Sequence, residues 1–310
     1  MRVVGVKDFG GPEALQVYEV ETPHAGPGEV RINVRAAAVN PTDTYTRNGS
    51  RAGVSHTPIP HVPGMDVAGV VDEVGEGVTT VRPGDDVMAM VIPSEGYGGY
   101  SEYVVVPQRS VTLMPWGKSH AEACTLPMNG LTAQLSLDML NLAPGQTLAV
   151  TGAAGTYGAY VVELAKAAGL RVIADSSEAD EPLVRSLGAD VIVRRGADVA
   201  QRILEHAPGG VDGLADGSVQ NELVTPAVRK GGGFATVRGW SGNDNPDVTV
   251  HHVWVRTYVQ EWDKLERLRE LVESGSMSLR VAGTFPAAEA SEAHRLLERG
   301  GARGRFVIEF

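Results

Sequence analysis

"VTGAAGTYGAYVVELAKAAG", residues 150–169, carries glycines at 152, 155 and 158 at even spacing. The apolar "LAV" that leads into it (148–150) reads as the end of a short buried strand. Downstream, Val161, Val162, Leu164, Ala165 and Ala168 mark the apolar side of a helix. A strand that runs through glycines into a helix sets backbone amides at a helix start, where they can hold a phosphate. The strict G-x-G-x-x-G spacing is not met, and a lone glycine pattern also serves turns and helix ends. Context gives it weight: the strand "LRVIADSS" (170–177) arrives about 20 residues on, with polar residues at its end, as a dinucleotide fold requires. The stretch is expected to hold a dinucleotide pyrophosphate.

Working outward, a helix is expected toward "RSLGAD" (185–190), then the strand "VIV" (191–193) and a helix near "VAQRIL" (199–204). The strand "GVDGLAD" (210–216), a helix through "LVTPAVRKGG" (223–232) and the strand "FATVRG" (234–239) follow. Such alternation implies right-handed βαβ units and a parallel sheet. Before about Trp116 the chain instead has frequent Gly and Pro between short β-branched runs. "EVRINVRAAAV" (29–39) alternates at Val30, Ile32, Val34 and Ala36, and "DVAGVVDEVGEGV" (66–78) and "GDDVMAMVI" (84–92) share its character. In the tail, Leu265, Leu268, Leu271 and Val272 mark one helix face, Ala290, Ala293, Leu296 and Leu297 another, and "RFVIEF" a last strand. The expected organisation is a β-rich domain over residues 1–118, a dinucleotide-binding domain over 119–256, and a return to the first domain over 257–310.

Bulk properties agree with two domains, since 310 residues exceed the ~100–200 of one. A net charge of −11 argues against nucleic acid as a partner. The single cysteine, Cys124, excludes an internal disulfide framework and fits a reducing compartment. "MRVVGVKDFG" lacks the layout of a secretory leader, and no apolar run approaches the ~18 residues of a membrane span. A soluble cytoplasmic protein is expected.

Six stretches carry a resemblance: "AAAVNPTDTYTRNG" (36–49), "HVPGMDVAGVVDEVGEGV" (61–78), "GGYSEYVVVP" (98–107), "LPMNGLTAQ" (126–134), "TGAAGTYG" (151–158) and "GGARGRFVIEF" (300–310). Together they resemble the medium-chain dehydrogenase/reductase superfamily, most of all its zinc-free quinone oxidoreductase branch, related to zeta-crystallin. The resemblance implies an α/β fold: a Rossmann doubly wound parallel sheet plus a GroES-like β-rich catalytic domain, with the active site in the cleft. It implies an NAD(P)H-dependent reductase that transfers hydride to a quinone or an activated alkene or carbonyl. Two alternatives stand beside it. One is a cofactor-binding, non-catalytic zeta-crystallin-like protein. The other is an enoyl reductase of acyl thioesters, which needs a basic channel for a CoA phosphate; no Lys/Arg cluster lies near "NPTDTYTRNG".

The zinc enzymes of this superfamily place a cysteine where this chain has Asn40, and a histidine and a glutamate where it has Met65 and Asp66. Asparagine and methionine are poor zinc ligands, and the four clustered cysteines of a structural site are missing. His61, His251 and His252 lack ligand spacing and are expected on loops or the surface. No metal is expected. A quinone or enone accepts hydride without a Lewis acid, provided a donor meets the developing oxyanion. By resemblance, Tyr45 is the candidate donor and Asn40 orients substrate or carboxamide. Asp43 and Asp66 are expected to hold loops, Arg47 to be solvated, and Cys124 to be a buried inert thiol.

By the same resemblance, Gly152, Ala153, Ala154, Gly155, Thr156, Tyr157 and Gly158 form the pyrophosphate loop, while Thr132 and Gly239 meet the nicotinamide half. Thr156 and Tyr157 depart from the family, which has glycine and valine there. An NAD site puts a carboxylate at the end of the second strand. Asp175 is near that place, but the family register puts Ser176 there, followed by Ser177. In "VIVRRG" (191–196), Arg194 or Arg195 falls where the family often has a tyrosine beside the 2′-phosphate of NADP, and Arg195 is the favoured one of the two. NADPH is therefore expected over NADH, with Ser176, Ser177 and Arg195 as its phosphate contacts. "HHVWVRTYVQ" (251–260) reads as a long edge strand, and a homodimer through it is expected.

Overall fold

Period-two burial organises the first segment. The structure, a computed structural model, describes residues 1–50, 58–93, 96–242 and 245–310. β1 (Arg2–Gly5) and β2 (Gln16–Glu19) form an antiparallel ribbon. In β3 (Glu29–Ala38), Val30, Ile32, Val34 and Ala36 are all buried. α1 (Pro41–Asn48) starts behind a capping box made by Asn40 and Asp43, and stops at Gly49, whose φ of 77° suits glycine. β4 (Asp66–Val74), β5 (Asp86–Met90), β6 (Tyr103–Pro107) and β7 (Val111–Leu113) complete the antiparallel part, in which β3 pairs with both β4 and β6. α2 (His120–Ala123) and α3 (Pro127–Leu140) follow.

Longer connections then give a parallel sheet. Its elements are β8 (Thr147–Thr151), α4 (Thr156–Ala167), β9 (Arg171–Ser176), α5 (Glu181–Ser186), β10 (Val191–Arg194), α6 (Val199–His206), β11 (Val211–Asp216), β12 (Val228–Thr236) and β13 (Val248–His252). The six strands lie in the order β10-β9-β8-β11-β12-β13. The chain therefore winds outward from β8 to β10, then resumes with β11 on the other side of β8. That reversal is a topological switch point. Leu148, Val150, Ile173, Leu214 and Phe234 are fully buried at the centre of this sheet.

Three expectations are corrected here. Residues 223–232 are not a helix: short 3-10 turns at Asn221–Leu223 and Thr225–Ala227 lead into β12, which begins at Val228. Pro226 cannot donate to a helix ladder. A Cβ on Gly233 would lie 2.7 Å from Leu140, so the glycines serve a strand whose neighbours come too close for a side chain. The run 251–260 is not one long strand either; only His251 and His252 belong to β13, and Val255–Tyr258 form a 3-10 turn. His252 pairs with Thr236, the last residue of β12, so no ladder remains for the rest. Ala168 is exposed, because α4 has already ended.

The tail returns as α7 (Trp262–Glu273), β14 (Val281–Pro286), α8 (Ala290–Arg299) and β15 (Arg305–Glu309). Leu265, Leu268, Leu271 and Val272 are the buried face of α7. β15 pairs with β14 and, antiparallel, with β3, which ties the tail into the first segment's sheet. Two compact units result: Met1–Met128 with Arg256–Ser274 and Leu279–Phe310, and Asn129–Val255 with Gly275–Ser278. Among the described residues no helix is long and apolar enough to cross a membrane.

Candidate functional site

In the parallel-sheet unit, the carboxyl ends of β8 and β11 flank the switch point, where doubly wound folds open a ligand crevice. Thr151 ends β8 and Gly152 turns the chain at φ 66°. A Cβ on Gly152 would lie 2.9 Å from the backbone of Gly217, just beyond β11. One on Gly158 would lie 2.3 Å from the Gly152 carbonyl oxygen. Both positions are closed to any side chain. Gly155 caps α4 in extended conformation and donates its N–H to Gly152 at 2.9 Å. Ala153, Ala154 and Thr156 are buried between these glycines, and the first amides of α4 point out of the helix start with no acceptor inside it. The positive end of the helix dipole adds to them.

Two buried carboxylates support this loop. Asp175, in β9, accepts the N–H of Ala153 at 3.2 Å, and burial pushes its carboxyl up. Asp216 accepts the Thr151 hydroxyl at 2.5 Å and the Asn221 N–H at 2.7 Å. The segment it holds contains Val219 at φ 58°, an outlier for a β-branched residue. Tyr157, half-buried, shares a 2.8 Å hydrogen bond with Ser136 on α3, one turn beyond the buried Thr132. At the end of β9, the N–H of Arg195 donates to the Ser176 carbonyl at 2.8 Å, which sets these two residues side by side. The Ser176 hydroxyl donates to the Ser177 carbonyl at 2.7 Å, and that of Ser177 to Asp180 at 2.5 Å. Arg194 is paired with Glu178 at 3.2 Å, whereas Arg195 is exposed and its charge offsets only part of the rise that burial imposes on the Asp175 carboxyl. Gly239 lies exposed at φ 74°, three residues past β12.

The other unit contains a chain of buried side chains around α1. Asn40, fully buried, donates through Nδ2 to Asp66 at 2.7 Å, and Asp66 also accepts the Met128 N–H at 2.6 Å. Asp43 accepts the backbone N–H groups of Asn40 (2.8 Å) and Gly64 (3.1 Å) and the Tyr100 hydroxyl (3.1 Å). Tyr100 in turn contacts Nε2 of His294 at 3.1 Å, and Arg47 contacts Nδ1 of His294 at 3.2 Å. Because arginine can only donate, Nδ1 is the acceptor, and His294 is the neutral Nε2–H tautomer. Burial pushes Asp43 up to about 6 and Asp66 up to about 7, and pushes His294 down to about 3 with help from the Arg47 charge. Arg47 corrects an expectation: it is 3% exposed rather than solvated, and pairs with Glu298 on α8 at 2.5 Å. Asp43 and Arg47 are four residues apart on the buried face of α1. Tyr45, midway between them, lies on the other side of the helix and is half-buried.

Asn40 and Met65, at the positions of zinc ligands in the metal-dependent enzymes, are otherwise engaged. The Asn40 amide is spent on Asp66, and the Met65 thioether accepts the Thr42 hydroxyl at 3.4 Å. These residues do not fit a zinc ion. Among the described residues no group of three or more His, Cys, Asp and Glu could hold a metal. His61 stacks on Phe9 at 4.8 Å, His251 is half-buried and His252 exposed. Cys124 is fully buried, with its thiol pushed up by burial. Sequence reasoning missed Tyr100 and His294. The one available signal was the position of His294, next to Ala293 and four residues after Ala290 on the apolar stripe of α8.

Comparison with known proteins places these features in a family. Residues 26–116 match the alcohol dehydrogenase GroES-like domain and 187–308 the zinc-binding dehydrogenase domain. The chain is 31% identical to the 2-methylene-furan-3-one reductase of Solanum lycopersicum, over 99% of its own length and 79% of that protein's. It is 31% identical to the chloroplastic NADPH-dependent alkenal/one oxidoreductase of Arabidopsis thaliana, over 97% and 77%. A solved structure described as an NAD-dependent alcohol dehydrogenase superposes with a TM-score of 0.86 at 30% identity, each chain covered in full (100%). Glycine cradle, GroES-like strands and relatives agree: the chain belongs to the medium-chain dehydrogenase/reductase superfamily, in its quinone oxidoreductase branch.

Proposed function

We propose that this chain is an NAD(P)H-dependent reductase of a quinone or of an α,β-unsaturated ketone or aldehyde, working without zinc. The observation that carries the reading is the cradle at the β8–β11 switch point, where glycines 152 and 158 admit no Cβ and lead straight into the start of α4. Residues 152–158 hold the pyrophosphate there, and Thr132 and Gly239 serve the nicotinamide half. When bound, the nucleotide supplies a hydride from C4 of its ring. The chain supplies the rest: the Tyr45 hydroxyl hydrogen-bonds the acceptor's carbonyl oxygen and supports the charge that develops on it. Asn40 serves by fixing the start of α1 through its capping box with Asp43, while its Nδ2 donates to Asp66. The activities for which the two plant relatives are named, a furanone reductase and an alkenal/one oxidoreductase, support an enone-type acceptor.

NADPH is the proposed nucleotide. Arg195 sits beside Ser176 with its guanidinium exposed, ready for the bidentate contact a 2′-phosphate invites, while Arg194 is already paired. One observation favours NADH instead: the Asp175 carboxylate lies at the loop amide of Ala153, where a ribose hydroxyl could reach it. We further propose a cytoplasmic homodimer joined through the edge strand β13. The test is an anaerobic screen of NADPH and NADH consumption over quinones, enals and enones, with saturated alcohols plus oxidised nucleotide as the counter-screen. Turnover of at least one electrophilic acceptor, unaffected by chelators, is expected. Chelator-sensitive alcohol oxidation without such turnover would overturn the reading.

A further inference from the structure

Tyr157 is the second residue of α4, and its phenol is tied to a different helix. Ser136 on α3 has one hydroxyl proton, and that proton goes to the Thr132 carbonyl one turn back, at 2.8 Å. The 2.8 Å contact between Ser136 Oγ and Tyr157 Oη must then have tyrosine as its donor. Donation runs in one direction, from Tyr157 to Ser136 to the backbone of Thr132. Burial pushes the phenol up, so it keeps its proton across the physiological range. The ring also faces the far wall of the switch point. A Cβ on Gly217, directly after β11, would lie 3.0 Å from Tyr157 Cδ1 and 2.7 Å from the Thr151 carbonyl. One side chain therefore connects the start of the glycine-led helix, the helix that carries Thr132, and the first residue beyond β11.

We propose that Tyr157 is a positioning residue for the nicotinamide nucleotide. Its hydroxyl braces α3 against the start of α4 and so sets the width of the crevice before the nucleotide arrives. Valine and phenylalanine can fill part of the space but cannot make the brace. Preorganisation of this kind raises affinity by reducing the ordering that binding must impose. The inference rests on the nucleotide-binding reading given above, and it assigns to Ser136 a role no loop motif contains.

The experiment is a calorimetric titration of NADPH, and of NADH, into the wild type, Tyr157→Phe, Ser136→Ala and the double variant. Melting temperatures and amide hydrogen exchange of residues 132–140 are recorded in the absence of nucleotide. Tyr157→Phe removes a single oxygen and should fold. Each single variant is expected to weaken nucleotide binding about 3- to 10-fold, the range of one neutral hydrogen bond. The double variant should be no weaker than the weaker single, because both break the same brace. Exchange in α3 should quicken in all three. Multiplying losses, or a lowered melting temperature with unchanged affinity, would overturn the positioning role. A wild type that binds while Tyr157→Phe binds equally overturns this proposal alone. A wild type that binds neither nucleotide overturns the functional reading and this proposal with it.

Discussion

The loop after β8 and the helix after β3 are built from opposite materials. In the loop, backbone does the work: Gly152 and Gly158 exclude side chains, and amides at the start of α4 are the ligands on offer. Around α1, side chains do it: Asp66, Asn40, Asp43, Tyr100, His294 and Arg47 form a buried polar series in which each group needs the next. A backbone site fails all at once when a Cβ is added. A network of titratable side chains fails by degrees, and with pH. This difference ranks the consequences of mutation.

The largest effect belongs to the loop. Gly158→Ala places a methyl 2.3 Å from the Gly152 oxygen and 2.8 Å from the Ala153 Cα, neither of which can give way cheaply. Nucleotide affinity should fall by roughly 100-fold or more, from a distortion of the ~1–3 kcal/mol class compounded by the displaced amides. Retained affinity in a calorimetric titration would break the contrast between the two regions. Next comes Tyr45→Phe, which should lower kcat by roughly ten- to a thousandfold with nucleotide affinity little changed. Steady-state kinetics showing an unchanged kcat would remove Tyr45 from the chemistry. Arg195→Ala should weaken NADPH by roughly 10- to 100-fold, through loss of a charged hydrogen bond, and leave NADH level. If NADH is the better substrate in the wild type, Asp175 is the ribose ligand and Arg195 has no part in nucleotide choice.

The smallest effect sharpens the side-chain half. His294 sits at about 3 in the folded chain against an ordinary 6.5, so its stability contribution is complete above 6.5 and drains as pH falls toward 3. Asp43 and Asp66, raised from 3.8 to about 6 and about 7, act in the opposite sense. Their contribution is full below about 4 and is lost as pH rises through about 6 to 7. The two trends oppose each other across mildly acidic pH. His294→Gln keeps an acceptor for Arg47 and a donor for Tyr100 but removes only the first trend. On acidification from pH 7.5 to about 4.5, its stability relative to wild type should rise by on the order of 2 kcal/mol. Thermal melts showing a pH-independent gap would contradict a buried neutral histidine.

The same contrast explains what the sequence disclosed. Glycine spacing between a strand and a helix states a backbone geometry locally, so the loop at 152–158 was legible, as were β3, β9, β11, α7 and the closing strand. The helix expected over 223–232 misled because its apolar residues suit either period, and the glycines at 232 and 233 that decide the matter answer to Asp212 and Leu140 on other elements. The α1 network was not legible because its partners come from afar: Tyr100 lies 57 residues from Asp43, and His294 lies 247 from Arg47. A solvated arginine and a buried one look alike in "NPTDTYTRNG"; only the arrival of α8 distinguishes them.

The central claim, that a glycine-led loop at the β8–β11 switch point holds the nucleotide for a zinc-independent reductase, is tested most directly by equilibrium titration of the wild-type chain with NADPH and NADH. The account predicts one saturable site per chain, displaced by oxidised nucleotide, with NADPH bound roughly tenfold or more tighter in line with one charged contact at Arg195. Absence of saturable binding for both nucleotides would contradict it.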